Sequence, residues 1–337
     1  MENIEISYTA RYVPPEVIDN QIAGYAPAYT VSNDDLSQIM DTSDEWISTR
    51  TGIRERRISL NENTSVLCTK VAQQLITKAQ ISVDEIGLII VATMSPDACT
   101  PSTAALVQGQ IKAPNAVAFD ISAACSGFIY GMEIAQKMMR MSDFKYAIVI
   151  GGEVLSKEVD WTDRTSAVLF GDGAAGALLE ANENVEAFAG TDLKTFGDLG
   201  DRLVAGETNP IGEFPPAKFT TFHPFKMDGR AVYKFATTEV PNSIERVCDY
   251  NHVSLDDVDY FILHQANIRI IKSIAKKLKQ PLTKFPNNME RYGNTSAASV
   301  PLLLAEMNEN GELHAGQTIV LSGFGGGLTI GSQIIKL

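Results

Sequence analysis

The 337-residue chain is poor in the residues that staple or anchor a fold: four cysteines, four histidines and two tryptophans. Cys68, Cys99, Cys125 and Cys248 stand far apart, with no CxxC pair and no histidine at metal-ligand spacing. That argues against a disulfide framework and against a zinc site, and no metal is expected. No apolar run approaches the roughly 18 residues that span a bilayer. The opening residues Met1, Glu2, Asn3, Ile4 and Glu5 lack the basic-then-apolar pattern of an export signal. Positive charge is short as well, with 28 Lys and Arg against 41 Asp and Glu and a formal net charge of −13. Nonspecific binding to nucleic acid or to an anionic membrane is therefore disfavoured, and an acidic partner must meet a local basic patch. The expectation is a cytoplasmic protein with free thiols.

What is present is a large apolar fraction, 45%. That excludes disorder, and the length exceeds what one core usually holds, so about two packed units are expected. The sequence carries one internal echo. ISVDEIGLIIVAT from Ile81 matches VSLDDVDYFILHQ from Val253, 172 residues on, with Ser82, Asp84 and Ile90 repeated as Ser254, Asp256 and Ile262. At the same offset SAACSGFIYGMEIAQ from Ser122 faces NTSAASVPLLLAEMN from Asn294, and Tyr146–Ile150 faces Thr318–Ser322. Each set reads as strand, small-residue turn and helix, then strand. Two homologous α/β halves follow, with largely parallel sheets covered on both faces. The division is placed at 1–187 and 188–337. Residues 185–225, rich in Gly and Pro (Gly190, Gly197, Gly206, Pro210, Pro215, Pro216), read as loop. Asp34–Met40 and Ser43–Thr49 read as short helices, and Thr64–Ala79 as an amphipathic helix capped by Thr64 or Ser65. Cys68 falls inside that helix and reads as a buried hydrophobe.

Cys125 is the cysteine whose surroundings call for chemistry. It follows the strand-like run Ala116–Ile121 through a small-residue turn and precedes a helix starting near Ser126. A thiol at a helix N-terminus is expected to have a lowered pKa, roughly 3.5–7.5. His264 ends the strand Tyr260–Leu263 in LHQAN, while His223, His252 and His314 fall in loop-like, solvated contexts. Asn294 occupies the turn that corresponds to the one carrying Cys125. The repeat brings a thiol, an imidazole and a carboxamide to facing turns. Their order and spacing also suit a papain-like cysteine hydrolase. Against that stand the missing papain-type sequence around Cys125 and the doubled halves.

The sequence also resembles the β-ketoacyl-acyl-carrier-protein synthase III family, the condensing enzymes that start bacterial type II fatty acid synthesis. The matching stretches are DTSDEWISTRTGIRER (Asp41–Arg56), FDISAACSGF (Phe119–Phe128), WTDR (Trp161–Arg164), FGDGAAG (Phe170–Gly176), HQANIRII (His264–Ile271), YGNTSAAS (Tyr292–Ser299) and GFGGGLTIGS (Gly323–Ser332). The resemblance runs over essentially the whole chain. It implies the thiolase fold, a duplicated five-layered α/β/α/β/α arrangement, in a homodimer. It further implies that Cys125 takes an acyl group from acyl-CoA, with the backbone N–H groups of Cys125 and Gly326 as oxyanion hole, and that decarboxylated malonyl-acyl carrier protein attacks the acyl group. His264 and Asn294 would hold the enolate. Asn as third member separates this site from the Cys-His-His of elongating synthases, the second Cys of thiolases and the Glu of 3-hydroxy-3-methylglutaryl-CoA synthase. A related ketosynthase of specialised metabolism remains the nearest rival.

By the same resemblance Trp46 and Arg164 bracket the adenine of CoA, Arg50 and Thr51 lie near its phosphates, and Asn267 lies near the pantetheine. Acyl-CoA is a substrate, and no cofactor is implied. The stretch Asn267–Lys279 carries Arg269, Lys272, Lys276, Lys277 and Lys279 without an acid. The ordinary reading is a solvated face, but the family docks its acidic carrier protein here, beside Lys234. Gly171, Gly173 and Gly176 form a GxGxxG, yet no convincing helix follows and dinucleotide binding is not expected. At Thr100 many family members place a Phe that reaches from the partner subunit into the acyl pocket. The small residue here points to primers longer or more branched than acetyl. Ile330 replaces the family's usual Trp, with no consequence to derive.

Overall fold

Apolar runs that do not alternate with polar residues form strands buried on both faces. In the computed structural model, which describes residues 21–181, 188–208, 210 and 224–337, such runs supply most strands of the two larger sheets. The first comprises β1 (Ile22–Tyr25), β2 (Ile86–Ala92), β3 (Val117–Ile121), β4 (Tyr146–Glu153) and β5 (Gly173–Glu180), in the order β1-β5-β4-β2-β3. The second comprises β6 (Phe188–Thr195), β7 (Tyr260–Leu263), β8 (Thr318–Gly325) and β9 (Thr329–Lys336), in the order β6-β9-β8-β7. From the β1 and β6 edges inward, both sheets pair antiparallel, antiparallel, then parallel, so they are mixed and not largely parallel as the strand-helix alternation predicts. Only β3 lacks a counterpart in the second sheet among the described residues.

Seven helices concern the site: α1 (Asp44–Thr51), α2 (Thr64–Ala79), α3 (Thr103–Ile111), α4 (Gly127–Arg140), α5 (Gly229–Tyr250), α6 (Ile268–Lys277) and α7 (Ser299–Glu309). On β2, Leu88 and Ile90 point inward while Ile89 and Val91 point outward, and both pairs are fully buried. The inward pair packs with Phe128 and Met132 of α4, Leu303 of α7, and Ile262 and Leu321 of the second sheet. The outward pair meets Leu67, Val71 and Leu75 of α2. On the far side, Val240 and Ile244 of α5 and Ile271 and Ile274 of α6 cover Phe261 and Val320. The layers run α/β/α/β/α, the thiolase fold that the echo and the motifs anticipate.

The offset of 172 survives in detail. The 3-10 turns Ala124–Ser126 and Ser296–Ala298, the helix starts Gly127 and Ser299, and the strand starts Tyr146 and Thr318 all correspond. Both turns open on a non-glycine residue in the left-handed region, Ala124 at φ +44° and Ser296 at φ +47°. Such residues persist only where surrounding structure holds them.

Two further sequence expectations need correction. Phe188–Thr195 is a strand, not loop; as a half-exposed edge strand containing Gly190 it shows no apolar run. The remainder of the Gly/Pro stretch at 211–223, His223 included, lies outside the described residues. The cap of α2 is Asn63, whose Oδ1 accepts the Thr64 N–H. The Thr64 and Ser65 hydroxyls instead donate to Ser95 O and Asp97 Oδ2, tying α2 to the next loop. Of the GxGxxG set, Gly173 and Gly176 lie within β5, where a Cβ at Gly176 would sit 2.3 Å from Val149 O. Among the described residues no helix is long and apolar enough to cross a membrane.

Candidate active site

The chain leaves β3 at Ile121 and turns through Ser122–Ala124 before α4 begins, which puts Cys125 in a buried turn at a helix start. β8 runs against this turn at backbone distance. A Cβ at Gly325 would lie 2.6 Å from Cys125 N, and one at Gly323 2.9 Å from Cys125 O. Gly326, the residue expected to approach, has more room, 3.3 Å to Leu203 O and 3.5 Å to Ala124 Cβ. The electrostatics differ from expectation too. Burial pushes the Cys125 thiol up to about 12; the Ser296 hydroxyl pulls it down, and the Glu153 carboxylate adds to the rise. The resting group is a thiol, which must lose its proton in the step in which it attacks.

His264 directly follows β7, with its N–H donating to Ser322 O at 2.8 Å. Its buried ring meets Phe324 edge-on, centroids 5.1 Å apart, and its Nδ1 lies 2.6 Å from Ser299 Oγ. Asn294 is held by a strand-like bridge: its N–H donates to Leu169 O at 2.8 Å, and Gly171 N–H donates to its carbonyl at 3.0 Å. Its Oδ1 accepts the Ser296 N–H at 2.9 Å, which leaves Nδ2 available as a donor. Cys125, His264 and Asn294 line one cavity of about 220 Å³. A second cavity of about 330 Å³ shares Cys125, Phe170, Leu203 and Phe225 with the first and adds Met94 and Gly326. Cys125 thus stands where two spaces meet. The apolar wall, with Phe170 edge-on to Phe225 at 4.6 Å, was not legible in the sequence. Phe170 sits within a quoted motif without a role, and Leu203 and Phe225 fall in the presumed loop.

Burial lowers His264 from 6.5 to about 3. Between these values the unfolded chain binds a proton that the folded protein refuses, so its contribution to stability is present above pH 6.5 and is lost as pH falls toward about 3. The slope is about 1.4 kcal/mol per pH unit. Buried Glu153, raised from 4.5 to about 7, works in the other direction, costing stability as pH rises through that window. Mutation separates the two. Relative to wild type, His264→Gln is expected to gain stability progressively below pH 6.5, read as urea midpoints from about pH 7 to about pH 4. Parallel curves would contradict the buried neutral imidazole.

Toward the surface, the cavity reaches Thr165 and Asn267. Next to Thr165, exposed Arg164 places its guanidinium 5.4 Å from the centroid of half-buried Trp46, and Arg50 sits 4.7 Å from the same ring. An adenine entering between Trp46 and Arg164 must open that contact. Thr51 is a correction: it is buried, and its hydroxyl donates to Ile47 O and accepts from Ile53 N–H, so it has no free polar group to offer a phosphate. Asn267 caps α6 through Arg269 N–H at 2.8 Å. Arg269, Lys272, Lys276 and Lys277 are exposed on α6, opposite the buried Ile270, Ile271 and Ile274, and Lys234 is exposed on α5. Thr100 is exposed, away from the cavities described.

The doubled sheets, the five layers and the enclosed cysteine where the halves meet define a thiolase-fold condensing enzyme. Models of 3-oxoacyl-[acyl-carrier-protein] synthase III match residues 119–197, and of its C-terminal part residues 248–337. The β-ketoacyl-[acyl-carrier-protein] synthase III of Limosilactobacillus reuteri (strain DSM 20016) is 54% identical over 100% of both chains, and that of Streptococcus mutans is 52% identical over 94% of this chain and 98% of its own. The chain belongs to the β-ketoacyl-[acyl-carrier-protein] synthase III family, and it is the condensing acyltransferase of the initiation step of fatty acid synthesis. The crystal structure of the Aquifex aeolicus VF5 3-oxoacyl-[acyl-carrier-protein] synthase III is similar, with TM-score 0.87 and 39% identity over 94% of this chain and 99% of that one. The papain-like reading is thereby set aside.

Proposed function

We propose that Cys125 is the nucleophile that takes the primer from acyl-CoA, and that His264 and Asn294 are the donors that hold the malonyl-derived enolate. The observation that carries this reading is the single cavity lined by all three side chains. In the first step the Cys125 sulfur attacks the thioester carbon. The oxyanion takes hydrogen bonds from the backbone N–H groups of Cys125 and Gly326, the bond to CoA sulfur breaks, and the cysteine proton leaves on CoA as its thiol. In the second step malonyl-acyl carrier protein loses CO2, and the electron pair of the broken C–C bond forms a thioester enolate. The enolate carbon attacks the acyl carbon, the Cys125–acyl bond breaks, and the thiolate takes a proton from solvent. The products are 3-oxoacyl-carrier, CoA and CO2.

A neutral His264 suits this chemistry. An imidazolium would bind the malonyl carboxylate in the ground state and oppose its departure, whereas a neutral donor serves the enolate that appears later. The apolar wall of Phe170, Phe225 and Phe324 likewise offers the carboxylate nothing. CoA is proposed to lie along Trp46, Arg50, Arg164 and Asn267, as a substrate and without a further cofactor.

The acidic carrier is proposed to dock on Lys234, Arg269, Lys276 and Lys277. Arg269 also donates to Thr49 O through Nε and Nη2, joining α6 to α1, so its replacement disturbs more than charge. The cleaner test reverses Lys276 and Lys277, which is expected to raise KM for malonyl-carrier several-fold with acylation by acyl-CoA unchanged. An unchanged KM would reject the docking role.

A homodimer is proposed through β3. Among the described residues this edge strand pairs only with β2, and it exposes Val117 at 48%. Asp120 of β3 accepts the N–H groups of Thr103 and Ala104, so the Thr100 loop is tied to that edge and would face the partner. With the second cavity beside Cys125, this supports primers larger than acetyl. Turnover of acetyl-, butyryl- and isobutyryl-CoA with malonyl-carrier tests both proposals. One CO2 and one CoA per 3-oxoacyl product are expected, with the larger primers used well. Free acid as product would overturn the reaction, and strict acetyl preference the primer reading.

A further inference from the structure

His264 can donate to an enolate only if its hydrogen sits on Nε2, and a neutral imidazole has two tautomers. Ser299, the first residue of α7, is buried, and its Oγ lies 2.6 Å from His264 Nδ1. The backbone N–H of Gln265 reaches the same oxygen at 3.4 Å. An amide N–H can only donate, so Ser299 Oγ accepts from it and has its one proton left for Nδ1. The reverse tautomer would aim two N–H donors at one oxygen and leave a buried hydroxyl proton without another acceptor among the described residues. Both nitrogens protonated is the charged form, which burial disfavours.

The duplication supplies an independent comparison. At the offset of 172, His264 and Ser299 correspond to Ala92 and Gly127. That pair also touches: a Cβ at Gly127 would lie 2.9 Å from Ala92 Cβ. The same contact of strand end and helix start exists in both halves. Only the half that faces the enolate fills it with a hydroxyl and an imidazole.

We infer that Ser299 is a positioning residue that donates to His264 Nδ1 and so fixes the Nε2–H tautomer, making His264 a hydrogen-bond donor and not the base that deprotonates Cys125. The inference rests on the proposed role of His264 in condensation, but the tautomer can be read without turnover. In ¹⁵N-histidine-labelled protein, the resonances lost in His264→Gln are expected to show a pyridine-type Nδ1 and a protonated Nε2 at neutral pH. A protonated Nδ1 in wild type would overturn the inference, whatever the activity. Ser299→Ala should acylate Cys125 normally and condense roughly 10- to 100-fold more slowly, short of the about 10²–10³-fold loss of a donor outright. Ser299→Thr, which keeps the hydroxyl, should restore condensation to within a few-fold. Wild-type condensation in Ser299→Ala would also overturn it. Should Ser299→Ala not fold, the wild-type spectrum and Ser299→Thr still decide. Wild-type protein that neither acylates nor condenses would instead sink the proposed function, leaving the tautomer as measured.

Discussion

Alanine at His264 or at Asn294 is expected to slow condensation by about 10²–10³-fold, the loss of about 2.7–4 kcal/mol that follows removal of one oxyanion donor. The first half-reaction should survive, because the acyl-enzyme oxyanion is assigned to backbone N–H groups that neither substitution touches. Each donor is aimed by a fixed partner on its other end, His264 Nδ1 by Ser299 and Asn294 Oδ1 by Ser296 N–H. Asn294→Asp is the sharper variant. It keeps the acceptor for Ser296 but turns the remaining donor into an oxygen that repels the enolate, so it should be at least as slow as Asn294→Ala. Acylation followed by intact mass, then single turnover with malonyl-carrier, separates the two half-reactions. Equal losses in both would contradict the assignment of these side chains to the second step.

Gly325→Ala is expected to damage both half-reactions. The added methyl would lie 2.6 Å from Cys125 N, closer than nonbonded atoms tolerate, and a tight 3.0 Å from Ala124 Cβ, so β8 or the nucleophile turn must move. Overpacking of this kind typically costs about 1–3 kcal/mol of stability, and a displacement of about 1 Å at reacting atoms can cost about 10²-fold in rate. Ala124, already at φ +44°, has little freedom to absorb it. Gly109, near the end of α3, is the control: nothing lies within 4 Å of its Cβ position, and alanine there should stabilise the helix and leave turnover intact. Acylation rates and urea midpoints of the two variants check the contrast. A fully active Gly325→Ala would show that β8 does not fix the nucleophile.

The repeat was legible because it is written in small residues and apolar runs, which obey local rules. The turns at Ala124 and Ser296 correspond to the residue, and β7 ends at Leu263 as the polar switch at His264 suggests. β6 escaped because an edge strand needs only half an apolar pattern. The cap of α2 was misplaced because Thr64 and Ser65 bind a distant loop that no local pattern reveals. At the site, the side chains that bear chemistry stood out by their rarity. The aromatic wall and Ser299 did not, since a Phe or a Ser acquires a role only from what the fold places opposite it. The thiol of Cys125 shows the same limit: its helix start was visible in sequence, but the burial that raises it is a property of the packed molecule.

The most direct test is the intact mass of wild-type and Cys125→Ala protein after incubation with acetyl-CoA, followed by malonyl-carrier. One acetyl group should appear on wild type alone and disappear as 3-oxoacyl-carrier forms. Acetylation of Cys125→Ala, or an acetyl group on wild type that malonyl-carrier cannot discharge, would contradict a single cavity in which this sulfur hands its acyl group to carbon.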